Sequence, residues 1–145
     1  MQRNNSQIDF GLLEGDSAAY FCFDKNLYIW GFPSQQALDN SHRVSHRDLA
    51  PSKFQFDEMV TSISLALSIN GLDSKDHDKI LIVATLTEIR ILYYSRNHRD
   101  NKVELTDTGF SVTTDQNVVS KIIQFKKNGR IFYGGSTGHV NELKL

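Results

Sequence analysis

The sequence has few of the residues that staple or interrupt a chain. It carries one cysteine, Cys22, in 145 residues, so no internal disulfide framework forms. Its two prolines, Pro33 and Pro51, fall in a single segment. No apolar run approaches the roughly 20 residues needed to cross a bilayer. The opening Met1-Gln-Arg-Asn-Asn-Ser-Gln7 leads into no apolar signal-peptide core. Neither sign of charge dominates: 16 basic residues face 17 acidic ones, for a formal net charge of -1. That balance argues against a generally basic nucleic-acid-binding surface. No stretch reads as a long helix. What is present is globular composition, with 39% hydrophobic, 23% charged and 10% aromatic residues. A mass of 16.5 kDa suits one domain or a piece of a larger one. A nuclear or cytosolic setting is expected.

Strand signals dominate. Ala19-Tyr-Phe-Cys-Phe23 and Leu27-Tyr-Ile-Trp-Gly-Phe32 are aromatic and β-branched, and the polar Asp24-Lys-Asn26 between them suits a hairpin. Residues 33 to 57 hold both prolines and little apolar periodicity, and read as a long polar surface loop. Ile63, Leu65, Leu67 and Ile69 then alternate with Ser62, Ser64, Ala66 and Ser68, the period of a strand with one buried face. Asn70-Gly71 and the charged stretch Asp73 to Lys79 follow. The near-continuous apolar run Ile80 to Leu86 predicts a strand buried on both faces, returning through Ile89 to Tyr94. Weaker extended signals lie at Val103 to Leu105 and Phe110 to Val112. Val118 to Phe125, Arg130 to Gly135 and His139 to Leu145 complete the series, with turns at Lys127-Asn-Gly129 and Thr137-Gly138.

This count gives nine strands in successive hairpins. The fold class expected is all-β: an incomplete β-propeller of about two to three four-stranded blades over residues 1–145, with no second domain. The grouping expected is two, four and three strands. A closed propeller needs at least about four blades, so the chain is expected to be a fragment of a longer product or a truncated one. Open blade faces and strand edges should make it prone to aggregate when expressed alone.

Three blocks of sequence carry a family resemblance. They are Phe10 to Leu13 with Ala19 to Trp30; Ile80-Leu-Ile-Val-Ala-Thr-Leu-Thr-Glu-Ile-Arg-Ile-Leu92; and Thr113-Thr-Asp115, Val119 to Ile122 and Gly129-Arg-Ile-Phe-Tyr-Gly-Gly135 through Leu143. In this order they resemble the N-terminal β-propeller of the large non-repetitive scaffold nucleoporins of the nuclear-pore inner ring. Asn70-Gly71 stands where that pattern carries Lys-Pro. The resemblance implies a structural scaffold component of the nuclear pore complex, at the nuclear envelope, supporting nucleocytoplasmic transport through protein–protein contacts. Its partners would be other nucleoporins of the inner ring. Pore-membrane proximity would come through parts of such proteins beyond Leu145. The alternative is a propeller adaptor of a vesicle coat or signalling assembly, or a truncated remnant without function.

The sequence offers no catalytic, cofactor or metal residues, and the expected protein is not an enzyme. No cofactor, small-molecule substrate or specific nucleic acid is expected. His46-Arg-Asp-Leu-Ala50 spells a kinase catalytic loop, but Lys53 stands where its Asn belongs and no phosphate loop precedes it. His42 and His46 have helical metal spacing with no third ligand; His77, His98 and His139 are isolated. Cys22 sits in an aromatic strand and reads as a core thiol. Gly134, Gly135 and Gly138 precede a strand, not the helix a phosphate loop requires. Lys121, Lys126, Lys127 and Arg130 flank Phe125, Phe132 and Tyr133. Strand alternation is expected to turn those aromatics inward and the cations to water. Residues 33 to 57 and 73 to 79 are the expected contact loops.

Overall fold

The computed structural model describes residues 8–14, 17–32, 50–67, 79–97, 99–125 and 127–144. Among these, every regular element is a strand. In chain order they are β1 Ile8–Leu13, β2 Ala18–Phe23, β3 Asn26–Gly31, β4 Ser52–Gln55, β5 Val60–Leu67, β6 Lys79–Thr85, β7 Glu88–Arg96, β8 Val103–Thr113, β9 Val119–Gln124, β10 Ile131–Gly135 and β11 Val140–Leu143. They form three antiparallel meanders ordered β1-β2-β3-β4, β5-β6-β7-β8 and β9-β10-β11.

The first sheet corrects the expected grouping, because it has four strands instead of two. Both unforeseen strands are its edges. β1 pairs with β2 through Gly11 opposite Tyr20. A Cβ at Gly11 would fall 2.9 Å from the Tyr20 ring, whose hydroxyl donates to Asp9 Oδ2 at 3.2 Å. The glycine that weakens the strand signal is thus what admits the neighbouring ring. β4 pairs with β3 and ends the supposed loop at Pro51. Its sequence, Ser-Lys-Phe-Gln, is polar except at Phe54, and exposure alternates along it, with Lys53 and Gln55 in water. Phe54 packs on the core and Phe56 beyond it is buried. Residues 33–49 of the proposed loop lie outside the described residues. The β2–β3 turn is the two residues Asp24 and Lys25, with Asp24 at φ 55, a value that Asp tolerates better than most residues.

The second sheet lies between the other two. Every residue of β6 after Lys79 is buried, as its apolar run predicts. Leu81 and Val83 pack with Ile63, Leu92 and Tyr94 against Cys22, Leu27 and Ile29 of the first sheet. Ile80, Ile82 and Ala84 pack with Ile89 and Ile91 against Val119, Ile122 and Ile131 of the third sheet. β5 is covered on both sides as well: Ser62 and Ala66, expected to face water, are buried with Ile63. The two extended segments between Val103 and Val112 are one strand, β8. Its register slips opposite Arg90 and Leu92, where Gly109 takes φ +83 and donates its N–H to Asp107 Oδ1 at 2.8 Å. That backbone hydrogen bond, with the Arg90 guanidinium, holds the Asp107 carboxyl below the usual carboxylate range.

Candidate interaction surfaces

Among the described residues, the most connected polar group joins the first two sheets. Glu14 follows β1. Its carboxylate accepts from the Tyr94 hydroxyl at 2.7 Å, from Arg96 Nη1 at 3.4 Å and from Lys79 Nζ at 3.5 Å. The Glu14 and Arg96 side chains are only 11% and 10% exposed. Arg96 also donates to the Ser17 carbonyl at 3.1 Å, to the Phe32 carbonyl and to Asn101 Oδ1 at 3.2 Å. Gly31 makes room for it: a Cβ there would fall 2.7 Å from Arg96 Nε. Burial, then the Glu14 hydrogen bond, pushes the Tyr94 hydroxyl well above its ordinary range, so it stays a donor. Every partner is a structural atom of a neighbouring strand or turn. The chemistry of the cluster is fastening.

The outward surfaces of the stack are of a different kind. Residues opposite each other in an antiparallel pair share a face. Register therefore places Ile8, Phe10 and Leu12 beside Phe21 and Phe23, and these beside Tyr28 and Trp30. Tyr28 lies 6.3 Å from both Phe21 and Trp30, with the Lys53 ammonium 5.9 Å over its ring. Phe10 is 75% exposed. The first sheet is thus apolar on both faces, one packed and one bare among the described residues. The third sheet's outer face is mixed, since register sets Lys121 opposite Gly134 and Glu142 opposite Phe132 on it. That face also carries Ile123, Phe132 and Val140, with Phe125 just past β9 and 5.1 Å from Phe132.

This corrects the expected orientation of the aromatics around the basic cluster. Tyr133 does turn toward the core, but Phe125 and Phe132 point outward. Arg130 lies 5.0 Å from the Phe132 ring and holds Glu142 through two hydrogen bonds of 2.8 and 2.9 Å. It is engaged within its own sheet. A groove of about 770 Å³ runs along the inner strands between Leu13, Ile63, Leu65 and Ile122, with Lys79 and Lys121 at its margin.

Of the histidines singled out in sequence, only His139 lies among the described residues, and it is exposed. The Arg47-Asp48 pair and most of the two proposed contact loops also lie outside them. No cluster of three or more His, Cys, Asp or Glu suited to a metal occurs among the described residues. Cys22 is fully buried and free. Burial, with the Asp9 charge behind it, pushes its thiol up to about 12. A raised pKa disfavours the thiolate, the reactive form. Cys22 should therefore resist a maleimide at pH 8 in the folded chain and react promptly in denaturant. Prompt labelling without denaturant would contradict its burial.

Residues 1–145 match the Nucleoporin_N family model, described as Nup133 N terminal like. The chain belongs to this nucleoporin family. A relative among curated proteins is the Nuclear pore complex protein Nup154 of Drosophila melanogaster, 24% identical over 134 residues. The match takes in 92% of this chain and 9% of Nup154. A solved structure, the Nup170 NTD–Nup53 complex of Chaetomium thermophilum, superposes with a TM-score of 0.66 at 24% identity. It covers 89% of this chain and 17% of the matched one. That likeness concerns the fold, and with it the three meanders are blades of an incomplete β-propeller. This nucleoporin-family chain thus spans a small part of the relatives it matches.

Sequence reasoning missed the bare outer faces. The signal was in β2 and β3, which are apolar or aromatic at almost every position. A strand with one wet face alternates; a strand that does not alternate has two faces to cover.

Proposed function

We propose that this chain is a structural scaffold component of the nuclear pore complex, located at the nuclear envelope. It supports nucleocytoplasmic transport by contacts with other nucleoporins of the inner ring and performs no catalysis. The observation that carries this reading is the family match along the whole chain, together with the blade-like stacking. The Chaetomium relative was solved with Nup53, which makes a nucleoporin of that type the partner to try first. The non-enzymatic role is supported by the nucleoporin family match.

A tagged copy of the chain in cells should give nuclear-rim fluorescence and co-purify with nucleoporins. Charge reversals within residues 33–57 and 73–79, the contact segments expected from sequence, should weaken that recruitment. Diffuse or vesicular staining of the unaltered chain, with no nucleoporin recovered, would remove the reading.

A further inference from the structure

We propose that Asn128-Gly129 is a covalent modification site gated by its own hairpin: the folded β9–β10 turn suppresses loss of the Asn128 side-chain amide, and an opened hairpin admits it. In sequence the pair marks a turn. Its chemistry is a second property, and every atom involved lies within that hairpin.

An Asn followed by Gly holds both partners of a cyclisation. The Gly129 backbone nitrogen attacks Cγ of the Asn128 side chain. An N–Cγ bond forms and the Cγ–Nδ2 bond breaks. The proton from the Gly129 nitrogen leaves with Nδ2 as ammonia. Water then opens the five-membered imide at one of its two carbonyls and leaves aspartate or isoaspartate. Nothing is oxidised or reduced, and water is the co-reactant. Glycine favours the step because it has no Cβ to crowd the attacking nitrogen. Asn128 is exposed, so water reaches it.

The folded turn occupies both reacting groups. The Gly129 N–H donates to the Phe125 carbonyl at 2.8 Å. That nitrogen must lose its proton to attack, and a hydrogen bond made by the protonated form disfavours the loss. Asn128 Oδ1 accepts the Arg130 N–H at 3.0 Å, which commits the side-chain carbonyl to the next residue along. The hairpin is closed around them. The Phe125 N–H donates to the Arg130 carbonyl at 2.9 Å, Gln124 Nε2 donates to the Gly129 carbonyl at 3.3 Å, and Gln124 pairs with Ile131. Gly129 is held there at φ +71. Attack requires these bonds to open together, a local event that costs less than unfolding the whole chain.

The two products differ in what they do to the turn. Aspartate keeps the main chain and an oxygen that accepts the Arg130 N–H. Isoaspartate routes the main chain through the side-chain carbon. The extra methylene displaces Gly129 from Phe125 and Arg130 from Phe125, so the hairpin does not close again in its native register.

The test holds the purified protein at pH 8 with and without urea. Residue 128 is then read by peptide mass, as the gain on exchanging ammonia for water, with fragmentation that separates isoaspartate from aspartate. Conversion in the folded protein should be at least about tenfold slower than in urea, the factor set by an opening cost of about 1.4 kcal/mol. Asn128→Asp should unfold at the same urea midpoint as the unaltered protein, and the isoaspartate form at a lower one. Equal conversion rates with and without urea would overturn the gating. An Asn128 that stays unconverted in urea would overturn the site, and an isoaspartate form as stable as Asn128→Asp would overturn its effect on the hairpin.

Discussion

Arg96→Met is expected to destabilise the fold by about 3–5 kcal/mol, the usual cost of removing one partner from a buried ion pair. The Glu14 carboxylate would keep its burial and lose the Arg96 hydrogen bond. The carbonyls of Ser17 and Phe32 would lose a donor at the same time. Lys79 provides the comparison. It also contacts Glu14, at 3.5 Å, but its side chain is 38% exposed. Such a pair contributes about 0–1 kcal/mol, so Lys79→Met should be nearly silent. Adding Glu14→Leu to Arg96→Met should recover part of the loss, since no uncompensated charge then stays buried. Urea unfolding, followed by Cys22 labelling, reads all four chains. Equal midpoints for Arg96→Met and Lys79→Met would show that the cluster does not fasten the sheets.

The strands that could be read from sequence are those whose environment is uniform. β6 is buried on both faces and reads as a continuous apolar run; β9, β10 and β11 are separated by glycine turns that leave a direct mark. β1 and β4 were hidden because edge strands answer to a neighbour on one side only. Gly11 is set by the Tyr20 ring, and Ser52 by the Val103 N–H, which its hydroxyl accepts at 3.0 Å. Tertiary demands of that kind override strand propensity. The Glu14 cluster was illegible for a related reason. Glu14 is separated from its partners by 65 to 82 positions, and only the stacking of one sheet on the next brings them together. Cys22 could be placed in the core from its aromatic neighbours alone. The outward aromatics could not, because a strand apolar at every position does not say which face the described chain leaves bare.

Gly134, Gly135 and Gly138 look alike in sequence, yet alanine should separate them sharply. At Gly135 an added Cβ would fall 2.0 Å from the Val118 carbonyl oxygen and 2.7 Å from Asn117 Oδ1. That carbonyl already accepts the Ser136 N–H at 3.0 Å, and Asn117 Oδ1 accepts the Thr137 N–H at 3.3 Å. Neither atom can retreat without breaking the bond that shapes the turn, and the register shift between Gly134 and Gly135 lies at the same point. Gly135→Ala should therefore cost about 3 kcal/mol or more, the upper end of overpacking. Gly138 has open space around it but a φ of +77, so Gly138→Ala should cost about 1 kcal/mol, from backbone conformation alone. At Gly134 the nearest atom would be the His139 carbonyl oxygen at 3.5 Å, an ordinary contact. Its substitution should stay within about 0.5 kcal/mol, as for a surface position. Thermal unfolding of the three variants tests the order. If Gly135→Ala melted with Gly134→Ala, the close approach of β10 to Val118 would not be a constraint on the third blade.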